Sequence, residues 1–111
     1  MQLHDQFEWD DAKAKINLKK HGVSFDTAAF VLSDMAADLY HHEQHDDRHG
    51  HEEDRYLTVA SHPQARSMVL VIVWTERTDH DLLVTRIISA RHALPQEKKH
   101  YARYIRQKIH S

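Results

Sequence analysis

The residues able to do chemistry fall into three groups. Arg55, Glu76, Arg77, Arg86, Ser89 and Arg91 lie on or near three apolar runs in the second half of the chain. A guanidinium standing on a sheet is costly unless it meets solvent, a carboxylate or a phosphate. Its planar fork matches phosphate oxygens well, although Glu76 could simply pair with Arg77 or Arg86. Lys13, Asn17 and Lys20 are spaced i, i+4 and i+7, a polar stripe at helical period, and His21 follows at the end of that stretch. There an imidazole can cap exposed carbonyls or move protons. The third group is His41, His42, His45, His49 and His51, interleaved with six acids between positions 41 and 54. Imidazole with carboxylate suits zinc, nickel or copper, but the spacing matches no ligand motif and Gly50 loosens the segment. Adventitious metal binding, or none, is the expectation.

Length and composition narrow the setting. The chain has 111 residues, which fits one domain spanning 1–111 with a single core. It has no Cys, which excludes disulfides, thiol catalysis and Cys-ligated zinc and agrees with a reducing cytoplasm. Gly22 and Gly50 are the only glycines, so a Walker loop and a dinucleotide fingerprint are excluded. No apolar run approaches the ~20 residues of a membrane span, and the N-terminus lacks a signal-peptide pattern, so a soluble cytoplasmic protein is expected. The formal net charge of −2 argues against a nucleic-acid partner until it is resolved along the chain. Residues 1–54 carry −8 and residues 55–111 carry +6. From Arg86 onward, seven cations face Glu97 alone, a surface suited to phosphate or merely to solvent.

Elements that could position these groups can be read in order. Phe7-Glu8-Trp9 reads as a short strand or lead-in. Asp10 or Asp11 caps a first helix with Ala12 and Ile16 on its apolar face, which ends at His21-Gly22. Ser24 caps a second helix carrying Phe25, Ala28, Ala29 and Leu32 inward. Ala36 to Tyr40 suits a short strand, and 41–54 reads as a solvated His/Asp/Glu-rich loop. Arg55 to Ser61, Ser67 to Thr75 and Leu82 to Ala90 read as strands, with Thr75 to Asp79 as a turn. In a regular last strand Arg86, Ile88 and Ala90 share one face while Ile87, Ser89 and Arg91 share the other. Pro95 opens a final helix with Ala102, Ile105 and Ile109 on its apolar side and Tyr101 beside them. The expected fold class is α+β: two N-terminal helices, a small antiparallel sheet of three to four strands, and a C-terminal helix.

Set in order, these residues resemble a known family. Phe-Glu-Trp-Asp at 7–10, Lys13, Asn17, Lys20-His21-Gly22-Val23-Ser-Phe, Asp-Arg-Tyr at 54–56, Val-Trp-Thr-Glu-Arg at 73–77, and Arg86-Ile-Ile-Ser-Ala-Arg91 followed by Glu97 and Tyr101 resemble the BrnT toxins. Each motif alone is weak, but their order and spacing are specific and run from Phe7 to about Tyr104. The resemblance implies a RelE-like ribonuclease of a type II toxin-antitoxin system, without metal or other cofactor. It also implies a BrnA-type antitoxin with a ribbon-helix-helix domain, through which alone operator DNA is bound and the operon repressed. The His-rich segment departs from the family's pattern.

Cleavage of RNA without metal requires a base for the 2′-hydroxyl, cations for the phosphorane and an acid for the leaving 5′-oxygen. Arg77, Arg86 and Arg91 suit the cationic part. Glu76 or His21 suits the base, and Lys13 or His21 the acid or phosphate clamp. Lys20, Arg55 and Ser89 suit RNA contacts, and Trp9 and Tyr56 suit base stacking, whereas Trp74 suits core packing better. Two alternatives remain open: a catalytically degenerate module that only holds antitoxin and tunes repression, and a metal-binding protein built on the His-rich segment.

Overall fold

The computed structural model describes residues 2–4, 6–34, 41–45 and 55–110. Their elements are β1 (Gln2–His4), β2 (Phe7–Trp9), α1 (Asp11–His21), α2 (Phe25–Ser33), β3 (His41–His45), β4 (Tyr56–His62), β5 (Ala65–Asp79), β6 (Leu82–His92) and α3 (Pro95–His110). The expected α+β arrangement holds: two helices, a sheet and a last helix. The three long strands β4, β5 and β6 form the antiparallel meander, and short strands widen it at both edges to the order β1-β2-β6-β5-β4-β3. One junction is parallel, where β2 lies along β6 with Glu8 beside Arg86. The expected loop over about 41–54 begins as an edge strand, since His41 to His45 pair with Ala60 to Tyr56. The strand expected at Ala36 to Tyr40 lies outside the described residues.

Local signals explain the helices. The Asp10 side chain accepts from the Lys13 N–H at 3.1 Å and caps α1. At its far end Gly22, at φ 71°, takes the left-handed position that a β-carbon would strain, and its N–H reaches the Leu18 carbonyl. Ser24 caps α2 by accepting from the Thr27 N–H at 3.0 Å. Glu97 caps α3 from its third position by accepting from the Leu94 N–H at 2.7 Å, a carboxylate placed where the helix dipole favours it.

Two cores divide the sheet. Trp9, Phe25, Val31, Leu70, Ile72, Trp74, Ile87 and Ala90 belong to the core formed with α2. On the other face, α3 lays Tyr101 and Ile105 against Val69. The Tyr101 hydroxyl accepts from the Ser61 N–H at 3.1 Å, tying α3 to β4.

Helix α1 is turned differently from the apolar pattern. Ala12 and Ile16 face outward, Ile16 at 65% exposure, while Asn17 is buried. The reason is polar. Strand β2 pairs with β6 only at Thr85 and Arg86, which leaves the edge of β6 beyond it without a strand partner on that side. The Asn17 amide fills that place: it donates to the Ala90 carbonyl at 2.8 Å, accepts from the Ala90 N–H at 3.2 Å and donates to the Val23 carbonyl at 3.0 Å. One side chain thus substitutes for a strand.

Candidate phosphate-binding face

Two irregularities decide which arginines meet. First, β5 runs on to Asp79, and the turn sits at His80-Asp81, whose φ values of 50° and 70° suit a tight two-residue hairpin. The turn expected over Thr75 to Asp79 is therefore strand, because those residues pair in register with Arg86 to Leu82. Second, β6 is not regular. The register steps from Val73 opposite Ser89 to Trp74 opposite Ile87, so Ile88 is an extra residue. Such a bulge shifts the side-chain alternation by one. Ile87 and Ala90 consequently both enter the α2-side core, and Arg86, Ser89 and Arg91 share the opposite face instead of being split.

That face gathers a row of cations. Arg86 lies in register between Glu8 on β2 and Thr75 on β5, and Arg77 follows two residues along from Thr75. Just ahead of β4, Arg55 stands one residue before Tyr56, which pairs with Trp74, and so continues the row toward Thr75. Its buried Nε has no hydrogen-bond partner among the described residues. Ser89 pairs with Val73 and Arg91 with Val71, both farther along β6.

Glu8 is the member that sequence reasoning missed. Between two core aromatics of β2, it points to the arginine face, has no exposed surface, and is held fork to fork by the Nε and Nη2 of Arg77, the latter at 2.6 Å. The hydrogen bonds from Arg77 hold its carboxyl below the usual glutamate value against the opposing effect of burial, and the charges of Arg77 and Arg86 add to this. The same pair raises Arg77. The available signal was the alternation Phe-Glu-Trp, an acid between two residues destined for the other face. At the opposite end Arg91 holds Glu97 in a second bidentate pair, at 2.7 and 2.9 Å, which raises the arginine.

Replacing Glu8 by Gln is expected to lower stability by about 1–2 kcal/mol at neutral pH, a modest figure because the Arg77 side chain is 40% exposed and screened by solvent. A carboxyl whose folded pKa is depressed stabilises above its unfolded pKa, and that contribution is lost as pH falls through the folded value. The gap between wild type and Glu8→Gln in urea titrations should therefore be full near pH 7 and close below the ordinary value of 4.5.

The other sequence-derived candidates are placed less uniformly. Glu76 is exposed and alternates onto the side of β5 opposite Arg77. Lys13 and His21 lie four residues either side of Asn17, so the Asn17–Ala90 bonds hold their flank of α1 along the edge of β6. Lys13 and Lys20 are exposed and His21 half-buried. Trp9 does not offer a stacking surface: it is 3% exposed and packs edge-on against Phe25, with centroids 6.0 Å apart. Tyr56 is half-buried and stacks at 4.7 Å on Trp74, which occupies one of its ring faces. Trp74 is a core residue as expected, its indole N–H donating to Thr58 at 2.9 Å. Among the described residues no group of three or more His, Asp or Glu is placed to hold a metal. The side chains of the His-rich segment lie outside the description.

The family described as the ribonuclease toxin, BrnT, of type II toxin-antitoxin systems matches residues 9–97. The chain belongs to the BrnT toxin family. That match covers most of the sequence and takes in every candidate named above, Glu8 excepted. No curated protein matches the chain. Ribonuclease toxin is thus the family-level identity. No helix among the described residues is long and apolar enough to cross a membrane.

Proposed function

We propose that the chain is a metal-independent endoribonuclease that cuts RNA, arrests translation, and is neutralised by a BrnA-type antitoxin with which it represses its own operon. The observation that carries this reading is the convergence of Arg55, Arg77, Arg86, Ser89 and Arg91 on one sheet face through the bulge at Ile88. A buried guanidinium nitrogen without an acceptor among the described residues, as at Arg55, is a group that a phosphate oxygen would satisfy.

In the proposed reaction the 2′-oxygen attacks phosphorus while its proton passes to a base. The bond from phosphorus to the 5′-oxygen breaks, and an acid protonates that oxygen. The products are a 2′,3′-cyclic phosphate and a 5′-hydroxyl. Arg77 and Arg86, neighbours in the row, stabilise the extra charge of the phosphorane, with Arg77 preorganised by Glu8. Arg91, four register positions farther along the face and held by Glu97, meets an adjoining phosphate of the same strand. For the proton transfers, the flank of α1 tied to β6 favours His21 and Lys13 over Glu76, which stands on the opposite side of β5.

One observation favours a second reading. Arg77 and Arg91 each already hold an internal carboxylate, as they would in a degenerate toxin that retains only antitoxin binding. Induced expression separates the two. An active toxin halts translation and fragments RNA in cells lacking antitoxin, and co-expressed antitoxin restores both; a degenerate one leaves RNA intact while still binding antitoxin.

A further inference from the structure

A second surface lies at the far end of the same sheet face. Helix α3 buries Tyr101 and Ile105, but the remainder of its apolar stripe stays outside, with Ala102 exposed and Ile109 45% exposed. Between this flank and the end of the β4–β5 hairpin runs a groove of about 650 Å³. Val69, Ile105 and Ile109 contribute apolar surface to it, Lys98, Lys99 and Arg106 contribute positive charge, and none of the described lining residues is acidic. From Lys98 to the C-terminus the sequence contains no acid.

An apolar strip between cations matches one kind of occupant best. A helix with apolar anchors at i, i+4 and i+7, flanked by Asp and Glu, fills the strip and pairs with the rim. The 16 residues of α3 span about 24 Å, room for such a register. Nucleic acid would use the cations but gain nothing from the apolar strip.

We propose that this groove docks an acidic amphipathic helix of the protein that neutralises the toxin. The inference rests on the antitoxin reading above and adds to it the surface and the chemistry of the contact. Val69 and Arg77 are eight residues apart along β5, about 26 Å. Arg91, opposite Val71 and bonded to Glu97, stands beside the groove. A helix held at Val69 nevertheless leaves Arg77 and Arg86 to be covered by another part of the partner, so that docking through Ala102 and Ile109 and RNA cleavage become separable by mutation.

The test measures binding of the full chain to its cognate antitoxin. Ala102→Glu and Ile109→Ser alter exposed positions, so the circular dichroism and melting temperature should stay as in wild type. Each should weaken antitoxin binding about tenfold or more, with RNA cleavage unchanged. The Lys98→Glu/Lys99→Glu double variant should weaken binding similarly and lose most of the salt dependence seen in wild type. Antitoxin binding equal to wild type in all three variants overturns the proposal. So does a double variant that loses RNA binding while it keeps antitoxin, which would make the groove a nucleic-acid surface. Absence of antitoxin binding by the wild type is a different result, which removes the partner reading itself.

Discussion

Arg86→Ala protein should fold, bind antitoxin and lose cleavage about 10²–10³-fold, the cost of removing one preorganised donor from a developing oxyanion. Arg86 is the arginine for which this effect is largest because of its place in the row. It stands in register between Glu8 and Thr75, with Arg77 on one flank and Ser89 and Arg91 on the other along β6. Its half-buried position limits competition from solvent. Glu8 keeps its bidentate partner Arg77 when Arg86 is shortened, so no buried carboxylate is left without a donor. The loss should fall on kcat more than on KM if the guanidinium acts mainly on the phosphorane, since an interaction made only in the transition state lowers both kcat and kcat/KM. Arg86→Lys should recover only part of the rate, because an ammonium cannot present the planar fork. An Arg86→Ala protein that cleaves RNA at the wild-type rate would remove the arginine row from the chemistry.

Asn17→Leu should produce the largest loss of stability, about 3–5 kcal/mol. Leucine keeps the volume but leaves the Ala90 N–H, the Ala90 carbonyl and the Val23 carbonyl without the amide that serves them. Each buried backbone group left unsatisfied costs about 1–3 kcal/mol, and a domain of this size holds only about 5–15 kcal/mol in total. Urea denaturation measures the loss directly. Because the same bonds fix α1 against β6, the flank carrying Lys13 and His21 should loosen with it. Hydrogen exchange at the Ala90 amide should accelerate more than at Ile72 in the centre of the sheet. An unfolding free energy within about 0.5 kcal/mol of wild type would mean that water or a neighbouring strand takes over the edge.

These two residues also mark how far the fold and the face could be read in advance. Asp10, Gly22, Ser24 and Pro95 are local signals with local causes, and the helices begin or end where those residues stand. The apolar runs of β4, β5 and β6 were equally legible. Asn17 was not, because its spacing with Lys13 and Lys20 describes a solvated stripe just as well; its burial depends on β2 stopping short beside β6. The arginine types were evident, but their common face was not. Strict alternation separates Arg86 from Ser89 and Arg91, and only the pairing of β5 with β6 reveals the extra residue at Ile88. Glu8 escaped for a related reason, since its partner Arg77 is 69 residues away. The length of β5 was underestimated because Glu76 to Asp79 look like a polar turn, whereas the turn is made by two left-handed residues beyond them. Trp9 illustrates the reverse error, an aromatic assigned to base stacking that the core required.

The near-neutral overall charge takes on structural meaning here. The basic half of the chain supplies both the arginine row, whose Arg77 and Arg86 lie toward one end of the sheet face, and the cationic rim beside α3 toward the other, with Arg91 between them. Two polyanionic contacts, one with RNA and one with an acidic helix, can thus coexist on a protein whose formal charge is −2.

The central claim, phosphodiester cleavage by this chain's own cations and proton donors, is tested most directly by incubating purified, antitoxin-free protein with RNA in EDTA and identifying the new ends. Cleavage should persist, leaving 2′,3′-cyclic phosphate and 5′-hydroxyl termini, and should disappear in Arg86→Ala protein. RNA left intact until a divalent cation is added, or fragments ending in 3′-hydroxyl and 5′-phosphate, would contradict the account.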